Sequence, residues 1–96
     1  MSAPAPAPAW FLYVLRCGDG TLYCGITTDV ERRLTQHAAG TGARYTRGRG
    51  PLTVMASWEV GSRSAALKAE AAFKALARPE KEQAIASVEP FSWLPA

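Results

Sequence analysis

Cysteine, histidine and local acidity are scarce in this chain of 96 residues, and each shortage excludes something. Two cysteines, Cys17 and Cys24, are too few for a disulfide framework and lack metal-ligand spacing. With a single histidine beside them a structural zinc site is not expected, and reduced thiols in a cytoplasmic protein are the simpler reading. No apolar run approaches the ~20 residues of a membrane helix, so no membrane role is expected. The Ala/Pro run before Trp10 has neither a basic n-region nor an apolar h-region, so residues 1–9 read as a disordered or polyproline-type leader rather than a secretory signal. Finally, Asp and Glu are missing from Arg32 to Trp58, a stretch that carries Arg32, Arg33, Arg44, Arg47 and Arg49. A net charge of +3 distributed so unevenly favours an anionic partner, nucleic acid being the commonest. On charge alone a solvated basic face is an equal alternative.

What is present fits one small domain over residues 10–88, followed by a short tail, residues 89–96. Trp10–Arg16 and Thr21–Thr27 are β-prone runs around a Gly18-Asp19-Gly20 turn. A three-residue loop with Gly20 in the left-handed position pairs Cys17 with Thr21. Tyr13 then faces Gly25, Tyr23 faces Leu15, and all four share one side of the sheet, while the two cysteines point to opposite sides. Gly25 opposite a tyrosine is expected to leave open space for a close-approaching ligand. Thr28-Asp29-Val30-Glu31 has the form of a capping box with Thr28 as the cap, opening a helix that buries Val30, Leu34 and Ala38 and stops at Gly40. Arg33 and His37, four apart, share a face beside that stripe.

A glycine- and arginine-rich loop, Thr41–Pro51, leads to a third strand, Leu52–Val60. A long helix capped by Ser62 or Ser64 follows, with Ala66, Ala69, Ala72, Phe73 and Leu76 on its core face. A last helix begins at Pro79. The order β-β-α-β-α-α describes an α+β domain with a largely antiparallel three-stranded sheet flanked by helices.

Each chemistry-bearing residue has a commoner role. Tyr13 and Tyr23 are cross-strand packing aromatics unless something basic lies beside them. With arginine near, a phenol is expected to have a depressed pKa and to accept a proton from water. Arg33 offers a fork for a phosphate, or is simply an exposed helix charge. His37 is either functional or a helix-end histidine favoured by the helix dipole. Glu70 pairs with Lys74 at four-residue spacing, or holds a magnesium ion as a lone carboxylate. Arg32, Arg44, Arg47 and Arg49 with Tyr45 are placed to grip a nucleic-acid backbone, or belong to a solvated loop.

These residues, in this order, resemble the GIY-YIG nuclease superfamily, and within it the small stand-alone UPF0213-like members. Phe11-Leu12-Tyr13 corresponds to the first motif and Tyr23-Cys24-Gly25 to the second. The segment Gly25–His37 is similar to the helix carrying the catalytic arginine, and Ala66–Glu70 to the later helix with the metal-binding glutamate. The resemblance spans residues 10–86 and departs at Phe11, in place of the motif glycine, and at Cys24, in place of an aliphatic residue. By alternation Phe11 shares the Tyr13 face and narrows the substrate groove.

The resemblance implies hydrolysis of a DNA phosphodiester with one divalent metal, Mg2+ or Mn2+. Glu70 would ligate the metal, Tyr13 would activate water, Arg33 would stabilise the pentacovalent phosphate, and Tyr23 and His37 would position or protonate nearby groups. The expected function is a metal-dependent DNA endonuclease, non-specific or structure-selective, in DNA repair or recombination, with a protein partner as one source of specificity. The rivals are a non-catalytic nucleic-acid-binding module and a protein-interaction domain using Phe91 and Trp93 of the tail.

Overall fold

A computed structural model of the chain describes residues 8–40, 48 and 50–87. Residues 1–7 of the leader, the tail and Arg44, Tyr45, Arg47 and Arg49 lie outside the described residues. Three strands, β1 (Trp10–Arg16), β2 (Leu22–Thr27) and β3 (Thr53–Gly61), and three helices, α1 (Val30–Ala38), α2 (Arg63–Ala75) and α3 (Arg78–Ala86), follow the order β-β-α-β-α-α. The sheet order is β2-β1-β3 and both pairings are antiparallel. This is the expected α+β architecture.

β1 is central, which explains its unbroken apolar sequence. Leu12, Tyr13, Val14 and Leu15 are all buried, so both faces of the strand are covered. Leu12 and Val14 point to one side, where they join Cys24 of β2, Ala69 and Phe73 of α2 and Ala84 of α3 in the core cluster, with Trp58 packed against it. Alanines on α2 let that helix sit close to the sheet, and Phe73 fills the remaining space, its ring 6.2 Å from that of Trp58. Tyr13 points to the opposite side, toward α1.

The hairpin turn sets the register. Cys17 N–H donates to Thr21 O at 2.8 Å, Gly20 N–H donates to Cys17 O at 2.9 Å, and Gly20 has φ +86°. Asp19 Oδ1 accepts from both the amide and the hydroxyl of Thr21, at 3.1 and 2.6 Å. The resulting pairs are Tyr13 with Gly25 and Leu15 with Tyr23, as the three-residue loop requires. Two other segments dock on this turn. Arg78 Nη2 donates to Gly20 O at 3.0 Å, and Gly18 lies so close to the Gly50 carbonyl that a Cβ there would collide with backbone.

Helix starts differ from expectation in one place. Asp29, not Thr28, caps α1: its backbone is extended, and its Oδ1 accepts from Arg32 N–H at 3.0 Å. Thr27 Oγ1 in turn accepts from Asp29 N–H at 3.1 Å, so β2 runs straight into the cap and leaves Thr28 outside it. The buried stripe of α1 is also displaced. Ala38 is exposed and His37 is the one buried residue of the helix, with Val30 and Leu34 half-buried. Ser62 caps α2, accepting from Ala65 N–H at 3.1 Å. At α3, Glu80 Oε1 accepts from Ala77 N–H at 3.0 Å, and Pro79 occupies the first turn.

Candidate active site

The side of the sheet beneath α1 gathers four of the residues singled out in the sequence. Tyr13 comes from the middle of β1 and is 2% exposed. Its ring lies across Gly25: a Cβ added to that glycine would sit 2.6 Å from Tyr13 Oη and 2.9 Å from Cζ. The open space expected over Gly25 is therefore filled by the phenol itself, not held for a ligand. Gly25 is the floor that lets the ring lie flat along the sheet and direct its hydroxyl toward α1.

There the hydroxyl meets His37 Nε2 at 2.9 Å. His37 is 2% exposed and comes from the last turn of α1. Tyr23 completes a cluster of three rings, its centroid 5.2 Å from His37 in an edge-on arrangement and 6.4 Å from Tyr13. Such offset and edge-to-face contacts fix ring positions as well as burying area. Arg33, one turn before His37, and Tyr23 both act electrostatically on the Tyr13 phenol. Arg33 Nη1 donates to Gln36 Oε1 at 3.0 Å, which orients the guanidinium along the helix. Gln36 had no visible signal in the sequence beyond its three-residue spacing from Arg33.

Protonation in this cluster is set by burial. The Tyr13 phenol is pushed up to about 12, burial outweighing the lowering contributed by Arg33. The expectation of a depressed phenol pKa is therefore incorrect, because the arginine's pull is smaller than the cost of placing a phenolate in the sheet. His37 is held below its ordinary 6.5, first by burial and then by the charge of Arg33. At neutral pH the cluster thus contains a protonated phenol, a neutral imidazole and a guanidinium. With the imidazole proton on Nδ1, Tyr13 donates and Nε2 accepts.

Glu70 sits elsewhere. It belongs to α2, on the opposite side of the sheet, and its Oε1 lies 3.7 Å from Lys74 Nζ. Glu70 is 22% exposed and Lys74 59%, so the pair adds only a few tenths of a kcal/mol, roughly 0.3–0.5. Its charge reaches the Cys24 thiol of β2. The approach from Glu70 to the phenol cluster therefore runs around the sheet's outer strand, through Cys24 and Tyr23. Arg32 is exposed on α1.

Whether a metal fits is a question of donors. Among the described residues no three or more His, Cys, Asp or Glu side chains converge, so no all-protein cage is present. A single carboxylate such as Glu70 is the donor type accepted by a hard divalent ion that keeps several waters and takes substrate phosphate oxygens. Lys74 is its competing cation.

The model of the GIY-YIG catalytic domain matches residues 9–83, and the chain belongs to the GIY-YIG family of nuclease-type domains. Within it the chain is similar to proteins named UPF0213. A UPF0213 protein of Cronobacter sakazakii is 54% identical over 77 residues, covering 80% of this chain and 81% of that protein. The UPF0213 protein YhbQ of Escherichia coli K12 is 51% identical over 85 residues, 88% of this chain and 85% of that protein. Solution NMR structures of a UPF0213 protein from Bacillus halodurans and of protein EF2693 from E. faecalis superpose with TM-scores of 0.54 and 0.57. Their identities are 46% and 51%; the matches cover 81% and 78% of this chain and 83% and 80% of theirs.

Proposed function

We propose that the chain is a metal-dependent DNA endonuclease, non-specific or structure-selective, acting in DNA repair or recombination in the cytoplasm. The observation that carries this reading is the 2.9 Å hydrogen bond between Tyr13 Oη and His37 Nε2, with Arg33 beside it. A phenol with a pKa near 12 is ionised in roughly one molecule in 100,000 at pH 7. It is too weakly ionised to serve as a free phenolate base. Coupled to a neutral imidazole, it serves as a relay: Tyr13 oxygen takes a proton from the attacking water as its own proton passes to His37 Nε2.

Arg33 is the natural partner of the phosphate. Its guanidinium is fixed by Gln36 and close to the phenol, so it stabilises negative charge as the phosphorus becomes pentacovalent. Tyr23 holds the imidazole ring and closes the outer side of the cluster. Glu70 would hold Mg2+ or Mn2+, and the ion would supply Lewis-acid polarisation to a phosphate oxygen that reaches it around the outer strand. Arg32, Arg44, Tyr45, Arg47 and Arg49 are assigned to the DNA backbone, and a protein partner is a source of structure selectivity. Among the described residues no helix is long and apolar enough to cross a membrane, and Cys17 and Cys24 are free buried thiols. Both observations are compatible with this setting.

The test is incubation of the pure protein with supercoiled plasmid and branched DNA, with Mg2+ or Mn2+. Nicking that requires the metal and is lost in Glu70→Gln and Tyr13→Phe is expected. Salt-sensitive DNA binding without nicking, or nicking unchanged in both variants, contradicts the catalytic reading.

A further inference from the structure

At the outer edge of the sheet a cavity of about 250 Å³ lies between β2 and the helices α2 and α3. Leu22, Tyr23 and Cys24 form one wall; Phe73, Lys74 and Lys81 form the other. Because side chains alternate along β2, Tyr23 belongs to the phenol side and Cys24 to the core side. The cavity therefore lies along the free edge of the strand, and Tyr23 is the residue of its lining whose ring belongs to the phenol cluster.

Two ammonium groups serve this cavity. Lys81 Nζ stands 5.9 Å from the centre of the Phe73 ring, so its stem follows the aromatic wall. Among the described residues no carboxylate pairs with it. Lys74 shares Glu70 at 3.7 Å but keeps most of its side chain accessible. The Cys24 thiol, pushed up to about 11 by burial, is drawn back by both lysines, so both charges act on the same wall. Positive charge above an apolar, partly aromatic floor matches the two parts of a nucleotide. The volume falls below the roughly 300–1,000 Å³ of drug-sized sites, which suits one nucleotide and excludes a duplex.

We propose that this cavity binds the nucleotide next to the scissile phosphate on the cut strand, with its phosphate on Lys74 and Lys81 and its sugar against Leu22 and Tyr23. The assignment rests on the endonuclease reading and adds the route by which the strand leaves the reacting bond. Tyr23 lines the cavity and its ring lies 6.4 Å from that of Tyr13, so one residue of the strand edge joins the two places.

The test uses the full chain in two measurements. The first is fluorescence anisotropy of a labelled single-stranded oligonucleotide in EDTA across a salt series, for wild type, K74M/K81M and K74R/K81R. The second is NMR titration of the wild type with thymidine monophosphate. Loss of the one phosphate that both lysines hold lowers the log–log salt slope by about 0.7 in K74M/K81M, while K74R/K81R keeps it. Thymidine monophosphate shifts the amide signals of Leu22, Cys24 and Lys81. An unchanged slope, or shifts confined to other residues, in a protein that still nicks plasmid overturns the subsite and leaves the endonuclease reading standing. A lowered slope with those shifts, in a protein that never nicks, keeps the subsite and overturns the endonuclease reading. Absence of both binding and nicking removes both. If the methionine variant misfolds, the wild-type titration decides.

Discussion

The two sides of one strand divide the labour of this domain. Toward α2 and α3, β1 presents Leu12 and Val14 to Phe73, Ala69 and Ala84, a surface without titratable groups apart from the Cys24 thiol. Toward α1, the same strand presents Tyr13 to His37, Arg33 and Tyr23, a buried polar cluster in which every proton position matters. The first side stabilises by excluding water; the second keeps a phenol and an imidazole neutral at a desolvation cost. Strand alternation at a period of two lets adjacent residues serve such different ends. Stability and chemistry should therefore be separable by mutating neighbours.

The sharpest separation lies between Tyr13 and Leu12. Tyr13→Phe should lower the nicking rate by about 10²–10⁴-fold, the range for loss of a general base. It should cost only about 1 kcal/mol of stability for the missing hydrogen bond, read by urea unfolding. Leu12→Ala should do the reverse, losing about 2–5 kcal/mol while the molecules still folded nick at the wild-type rate. Equal effects of the two substitutions on rate per folded molecule would erase the division.

Gly25→Ala tests the floor of the cluster. The new methyl meets the Tyr13 hydroxyl and ring, so the phenol has to lift from the sheet. A loss of about 1–3 kcal/mol is expected, together with a changed Tyr13 ring signal in NMR. An unchanged spectrum and stability would mean that the ring does not lie over this glycine.

The smallest effect concerns pH. His37 is neutral because its pKa lies below 6.5, so its acceptor role and its contribution to stability are complete above that value. Both decline as pH falls from there through the folded-state value, because the unfolded chain takes up the proton first. A pH–rate profile of nicking should show an acid limb below 6.5 that is absent in His37→Gln.

Much of the fold was legible because turn chemistry is local. Gly18-Asp19-Gly20 specifies the loop, the loop specifies the register, and the register brings Tyr13 opposite Gly25. What alternation could not convey was the direction of the Tyr13 ring, and so the glycine was read as open space. Helical periodicity favoured Ala38 over His37 because it scores alanine as apolar and histidine as polar. It has no means to represent a buried acceptor demanded by a phenol on another element. The phenol's pKa was misread for a similar reason: Arg33 is visible in the sequence, but the burial that outweighs it is a property of the folded sheet. Asp29 took the cap from Thr28 because Thr27 Oγ1 holds the Asp29 amide while Asp29 Oδ1 accepts from Arg32 N–H, a one-residue displacement common at element ends. Glu70 stood out as a lone acid between Glu59 and Glu80, yet its place beyond the sheet edge needed the packing of α2.

The proton relay between Tyr13 and His37 is tested most directly by a double-mutant cycle on nicking rate, using Tyr13→Phe, His37→Gln and the two combined. Glutamine can accept the hydrogen bond but cannot take the proton, so His37→Gln removes the transfer while sparing the packing. If the two side chains act as one unit, the double variant is no slower than the slower single variant. Rate losses that multiply would show that the phenol and the imidazole work independently, and would contradict the relay.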